Sequence, residues 1–175
     1  MKHVGPARKK MGKKTIFNLI GPLSSPAQVK RQVIGVFDKK WMKPFAEALK
    51  DNGVVHAFIV HSEDGMDEIS PFAKTNVVEL KDKTIKEFTI DPKTFGINSS
   101  NKENLKGKNA EYNAEKIIEI LKGQKNEFSQ SVALNVAAGL IVSNKENDFE
   151  ISYEKATNHL NSGKVFQHLV KIQSN

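Results

Sequence analysis

The 175-residue chain contains no cysteine, which excludes disulfide staples and thiolate metal sites and permits, without requiring, a reducing compartment. Long apolar runs are missing too: no segment approaches the roughly 18 consecutive apolar residues that would cross a bilayer, so membrane insertion is not expected. The basic first residues lead into no continuous apolar stretch with a small-residue cleavage site, and a secretory signal is not supported. The eleven glycines are dispersed, no two closer than seven positions, which leaves no glycine-rich cradle of backbone N–H groups for a diphosphate. The five histidines, His3, His56, His61, His159 and His168, show no metal-ligand spacing, and no G-x-S-x-G elbow is present to expose a serine nucleophile. Trp41 and the ten phenylalanines fall mainly at core-like positions and do not form the interleaved aromatic and basic platform that single-stranded nucleic acid uses.

What is present is the mix of a soluble globular domain, with 38% hydrophobic and 27% charged residues on a chain long enough for one sizeable core. The net charge of +7 is uneven: residues 1–50 carry twelve lysines or arginines against two acids, the remainder fifteen against eighteen. A basic front attracts polyanions in general, so diphosphates, RNA and DNA are all admissible, and a solvated lysine-rich surface accounts for it equally well.

Pattern and punctuation predict an α/β arrangement. Residues 1–12 read as a loop or as a short helix that begins after Pro6, and residues 15–20, ended by Gly21-Pro22, suit a short helix or a strand, the helix being preferred because Ile16, Leu19 and Ile20 share one face. Val33–Phe37 reads as a strand, residues 39–50 as a helix closed by Asn52-Gly53, and Val54–Val60, apolar apart from His56, as a strand of the composition that a parallel strand covered on both faces requires. Asn76–Leu80 and Ile85–Ile90 follow, with Lys81-Asp82-Lys83 as the turn of an antiparallel hairpin. Helical patterns at about 110–122, 127–143 and 150–171 complete the chain, the last with a break expected at Ser162-Gly163. The expected fold class is α/β: a mixed, mainly parallel sheet flanked by helices, as a single partial domain over residues 1–175.

The segment with most chemistry is Asp64-Gly65-Met66-Asp67-Glu68-Ile69-Ser70, placed where the strand ending near Val60 and His61 gives way to a loop. Mg2+ takes oxygen ligands, keeps several waters and is usually held by one or two carboxylates together with substrate phosphates. In a regular helix the neighbours Asp67 and Glu68 would diverge by about 100°, whereas a loop lets both approach one ion. The plainer reading of adjacent acids is a solvated face or the first turn of a helix.

A second segment decides between these readings. Lys2-His3-Val4-Gly5-Pro6-Ala7-Arg8, Gly12, Thr15-Ile16-Phe17-Asn18 and Gly21-Pro22-Leu23, taken with His61, Asp64-Gly65 and Asp67-Glu68-Ile69-Ser70, resemble the C-terminal portion of the anthranilate phosphoribosyltransferase family. The resemblance continues through Val78-Glu79-Leu80, Asp91-Pro92, Phe95-Gly96, Leu105-Lys106-Gly107, Asn113-Ala114, Leu134-Asn135, Ala137-Ala138 and Ser162-Gly163-Lys164. Lys14, Ser25 and Ser62 stand where the family usually has arginine, asparagine and glycine. Met1 aligns inside the family pattern, so the family's N-terminal helical domain and glycine-rich diphosphate loop are expected to be missing.

The resemblance implies transfer of a 5-phosphoribosyl group from phosphoribosyl diphosphate to the amine of anthranilate, a step of tryptophan biosynthesis, in a cytoplasmic protein. It implies Mg2+ as cofactor, with Asp67 and Glu68 as its ligands. Arg8 would bind the carboxylate of the aromatic acid, for which a guanidinium offers a planar two-pronged fork, and Gly21 and Pro22 would wall the pocket. Asn113 and Asn135 are expected to tie helices to loops, and no residue is assigned as a general base. With the other half missing, the isolated chain is expected to be inactive, and a separate N-terminal half is an implied partner. The alternative is a transferase-like protein that binds nucleic acid through its basic front.

Overall fold

The structure, a computed structural model, describes residues 5–12 and 17–174, without the side chains of 7–9, 17 and 18. Two short helices, α1 (Gly5–Met11) and α2 (Phe17–Leu23), precede the first strand, β1 (Arg31–Gly35). A 3-10 turn at Lys39–Trp41, capped by the Asp38 side chain, leads into α3 (Met42–Asp51), and β2 (His56–Ser62) follows. β3 (Thr75–Lys81) and β4 (Thr84–Ile90) form a hairpin, and four helices end the chain: α4 (Ala110–Leu121), α5 (Glu127–Val142), α6 (Phe149–Asn161) and α7 (Lys164–Gln173). Gly163 separates the last two with φ 71°, a left-handed conformation in which glycine carries no steric cost. No described helix is long and apolar enough to cross a membrane.

The sheet has the order β1-β2-β3-β4. β1 and β2 are parallel, while β2–β3 and β3–β4 are antiparallel, so in the described residues the parallel share of this mixed sheet is confined to one of its pairings. The hairpin turns on Asp82 and Lys83, both at positive φ, the backbone twist that a two-residue connection needs. α2 corrects one expectation. It runs through Gly21 and Pro22 to Leu23 instead of stopping at them, because Leu23 packs against the buried cluster on that face of the sheet, and the turn closes only where the Ser24 hydroxyl donates to the Ile20 carbonyl at 2.8 Å.

Both faces of the sheet are covered. Ile34, Val36, Ala57, Ile59 and Val78 pack with Phe45 and Leu49 of α3 on one side, and Phe58, Val60, Val77 and Ile90 pack with Leu134, Ala138 and Val142 of α5 on the other. This explains the unbroken apolar run Ala57–Val60 of β2, buried on both faces, in which Phe58, Ile59 and Val60 contribute about 1.5–3 kcal/mol each. The far end of α5 is tied down by Arg31, which donates to the Val142 carbonyl at 2.8 Å and to Asn144 Oδ1 at 2.9 Å.

Candidate carboxylate site at the end of the parallel strands

In α/β sheets, ligands collect outside the carboxyl ends of parallel strands. Here β1 ends at Gly35 and β2 at Ser62, and the loop that follows β2 folds back over both. A Cβ built on Gly35 would lie 1.4 Å from the carbonyl oxygen of Asp67 and 2.5 Å from its carbonyl carbon. The backbone of Asp67 therefore rests directly on the end of β1, in space that only glycine leaves open.

Three further attachments fix the loop. Asn135 of α5 clamps Ile69 from both sides: its Oδ1 accepts from the Ile69 N–H at 3.1 Å, and its Nδ2 donates to the Ile69 carbonyl at 3.1 Å and to the Ser131 carbonyl at 2.9 Å. Ser70 N–H donates to Thr75 Oγ1 at 3.1 Å. Asp64 turns inward, its side chain only 3% exposed; it accepts from the Ser70 hydroxyl at 2.8 Å and from the Met66 N–H at 3.3 Å, and it faces Lys102 Nζ at 3.4 Å. Burial pushes the Asp64 carboxyl upward, but the hydrogen bonds from Ser70, Ser62 and the Met66 N–H, with the charge of Lys102, outweigh it and hold the group below the usual carboxylate range. The buried Ser62 hydroxyl, for its part, donates to the Lys74 carbonyl at 3.2 Å.

Against this rigid backing, Asp67 and Glu68 are exposed and make no hydrogen bond or ion pair with any described residue. His61 points elsewhere. Its Nδ1 lies 2.8 Å from the Val36 carbonyl, so that nitrogen carries the proton and the ring braces the end of β1. Among the described residues no group of three or more His, Cys, Asp or Glu converges on one point. Two free, adjacent carboxylates on an anchored loop still fit an ion that takes most of its shell from water and substrate phosphates.

The other expected site residues lie elsewhere. Gly21 and Pro22 are exposed at the end of α2. Pro22 lines a cavity of about 350 Å³ with Gln28, Lys30, Gln32, Asn52 and Val54, residues around the amino-terminal ends of β1 and β2. The doublet sits at the opposite end of β1, so the structure does not bring it together with Pro22 in that cavity. Arg8 belongs to α1, but its side chain lies outside the described residues, as do Lys14, Thr15 and His3. Gly35 carries no part of the expectation drawn from the sequence; the available signal was an isolated glycine inside a β-branched run, which marks a close backbone approach.

The comparisons with known proteins bear on this arrangement. The glycosyl transferase family, a/b domain, matches residues 1–166. The chain belongs to that family. Among curated members, the anthranilate phosphoribosyltransferase of Pelagibacter ubique is 56% identical over 174 residues, covering 99% of this chain and 53% of that protein. The enzyme of the same name from Parvibaculum lavamentivorans is 44% identical over 98% of this chain and 50% of its own length. Among solved glycosyl transferase structures, the anthranilate phosphoribosyltransferase of Thermus thermophilus superposes with a TM-score of 0.87 at 34% identity, over 98% of this chain and 50% of that chain. The Saccharomyces cerevisiae enzyme in complex with PRPP and Mg superposes at 0.84 with 27% identity, over 95% of this chain and 48% of that one. This glycosyl transferase chain thus spans about half the length of the relatives it matches.

Two predictions arise from the anchoring. Asn135→Asp would replace the donor facing two carbonyls with an acceptor, leaving those carbonyls unpaired and repelled; a loss of about 2–4 kcal/mol is expected, read by urea denaturation. Asp64 sets a pH dependence. Its carboxyl lies below the ordinary value in the fold, so its stabilisation is fully present above the unfolded value of about 3.9 and is lost as pH falls through the lower folded value. The stability gap between the native chain and Asp64→Asn should therefore be constant from neutrality down to about pH 5 and close below about pH 4, which melts across pH will check.

Proposed function

We propose that this chain is the C-terminal portion of an anthranilate phosphoribosyltransferase, acting with the remaining half to transfer the 5-phosphoribosyl group of phosphoribosyl diphosphate to the amine of anthranilate, in a soluble cytoplasmic setting. The observation that carries the reading is the 56% identity to such an enzyme across almost the entire chain, joined to a free acidic doublet on an anchored loop at the ligand end of the parallel strands.

In this reading Asp67 and Glu68 hold Mg2+, and the ion, when bound, neutralises charge on the departing diphosphate. The task of the chain's own residues is positioning. Gly35, Asn135 and Asp64 keep the two carboxylates in one place, which removes the reorganisation that a mobile acidic loop would require at the moment of reaction. Arg8 receives the carboxylate of anthranilate, and Gly21 and Pro22 form the wall beside its ring. Support differs between the two parts: resemblance and geometry both support the carboxylate site, and resemblance alone supports the acceptor site.

The test is complementation. The chain is mixed with a separately produced N-terminal half of the Pelagibacter ubique enzyme, phosphoribosyl diphosphate and Mg2+ are added, and the loss of anthranilate fluorescence is followed. Consumption that requires both halves supports the reading; no consumption by a mixture shown to contain a complex of the two overturns it.

A further inference from the structure

Where α5 begins, three segments enclose a cavity of about 420 Å³, within the roughly 300–1,000 Å³ of small-molecule sites. One wall is the turn that enters α5. Gly123 holds this turn against the end of α6: its φ is 101°, and a Cβ there would lie 2.6 Å from the Asn161 carbonyl oxygen, so only glycine allows the approach. The second wall is α6, which contributes buried Leu160 and Tyr153, the latter fixed by its ring contact with Phe95 at 5.4 Å. Ser99 closes the third side, its hydroxyl donating to Gln130 Oε1 at 2.6 Å.

The polar groups on these walls are largely uncommitted. The Glu127 carboxylate is half-buried and, like the Lys125 ammonium and the Asn161 amide, makes no side-chain hydrogen bond or ion pair with any described residue. Gln130 and Asn126 use only their carbonyl oxygens, the first toward Ser99 and the second toward the Ser129 N–H, which leaves both NH2 groups open. Thr157 Oγ1 is buried and completes no hydrogen bond within the protein, although the Tyr153 hydroxyl lies beside it. A buried hydroxyl left without a partner is costly, and a ligand group would relieve it. Burial raises the Tyr153 phenol above its ordinary value, so it stays a neutral donor.

Charge narrows the choice of ligand. An anion would face Glu127, and a cation would face Lys125. A hydroxyl group both donates and accepts, so it can give to the carboxylate and receive from the amides, the ammonium and Thr157. We infer that this cavity between the start of α5 and the end of α6 is a binding site for a small neutral polyol, with Glu127, Gln130, Thr157 and Asn161 as its hydrogen-bonding set. Asp67 and Glu68 do not line it, so the site is separate from the carboxylate loop and independent of the proposed reaction.

Titration of the chain with myo-inositol and with D-xylose, followed by amide NMR, tests the assignment. Free serine as a zwitterion, citrate as an anion and spermidine as a cation serve for comparison. Saturable shifts are expected with at least one polyol and with none of the charged probes, centred on the amides of Ser99, Glu127, Gln130, Thr157 and Asn161. Glu127→Gln should weaken binding at least about tenfold with little change in the melt, because the carboxylate has no partner in the protein. Thr157→Val should also weaken binding while Tm holds or rises, since valine keeps the shape without burying a hydroxyl; a hydroxyl that serves only the fold would instead lower Tm and leave binding unaltered. No saturable shift with either polyol, an equal response to any charged probe, or undiminished affinity in both variants would overturn the inference.

Discussion

Gly35→Ala is expected to be the most damaging glycine-to-alanine change in this chain. The new Cβ would sit 1.4 Å from the Asp67 carbonyl oxygen and 3.1 Å from its Cα, so the obstacle is backbone and no side-chain rotation relieves it. Either the end of β1 leaves the sheet or the loop lifts off, and lifting the loop strains the Asn135 clamp on Ile69 and the Asp64–Ser70 contact at the same time. Overpacking of this kind costs about 3 kcal/mol or more, which for a chain of this size lowers Tm by about 6–12 °C. Gly139→Ala supplies the control. Gly139 lies inside α5, where an added methyl would meet no atom within 4 Å, and alanine is favoured over glycine in a helix interior by about 0.5–1 kcal/mol. The same chemical change should therefore destabilise at one glycine and stabilise at the other, and paired thermal melts of the isolated chain will show whether it does. Equal effects at the two positions would refute the close approach of Asp67 to β1.

The contrast between these glycines shows what could be read from the sequence and what could not. Periodicity located the later helices where local signals bound them: Gly163 at positive φ separates α6 from α7, and Asn126 starts α5 by accepting from the Ser129 N–H at 2.9 Å. The β3–β4 hairpin was legible from its short polar connection. Strand limits were not, because distant contacts set them. β1 starts at Arg31 instead of Val33, where the guanidinium reaches residues 111 and 113 positions away, and β2 starts at His56 instead of Val54, whose N–H is taken by the Leu49 carbonyl in closing α3. Asn135 was legible as a tie between helix and loop, since a buried amide must find partners; that its partner is Ile69, 66 positions earlier, was not. Within the acidic segment all three carboxylates look alike in sequence. Only the fold divides them, turning Asp64 inward to Ser70 and Lys102 and leaving Asp67 and Glu68 to solvent.

That division leads to the second large effect expected, which separates stability from activity at neighbouring residues. Asp67→Asn with Glu68→Gln removes two charges that no described residue neutralises, so the isolated chain should keep its stability within about 0.5 kcal/mol, the range of exposed substitutions. In the complemented enzyme the same pair of changes removes the oxygen charge assigned to Mg2+, and kcat/KM for anthranilate consumption should fall at least about 100-fold, equivalent to about 2.7 kcal/mol of transition-state stabilisation. Asp64→Asn should reverse the pattern, since its carboxylate is committed to hydrogen bonds: stability falls by about 1.5–3 kcal/mol, and any loss of rate follows from a loosened loop. The single change Glu68→Gln gives the sharpest measurement, because weakening one of two ligands raises the concentration of Mg2+ needed for half-maximal rate, and added Mg2+ should restore part of the rate. A doublet variant that is unstable but fully active, or a Glu68→Gln enzyme with an unaltered Mg2+ requirement, would show that these carboxylates serve the fold and leave the metal to other residues.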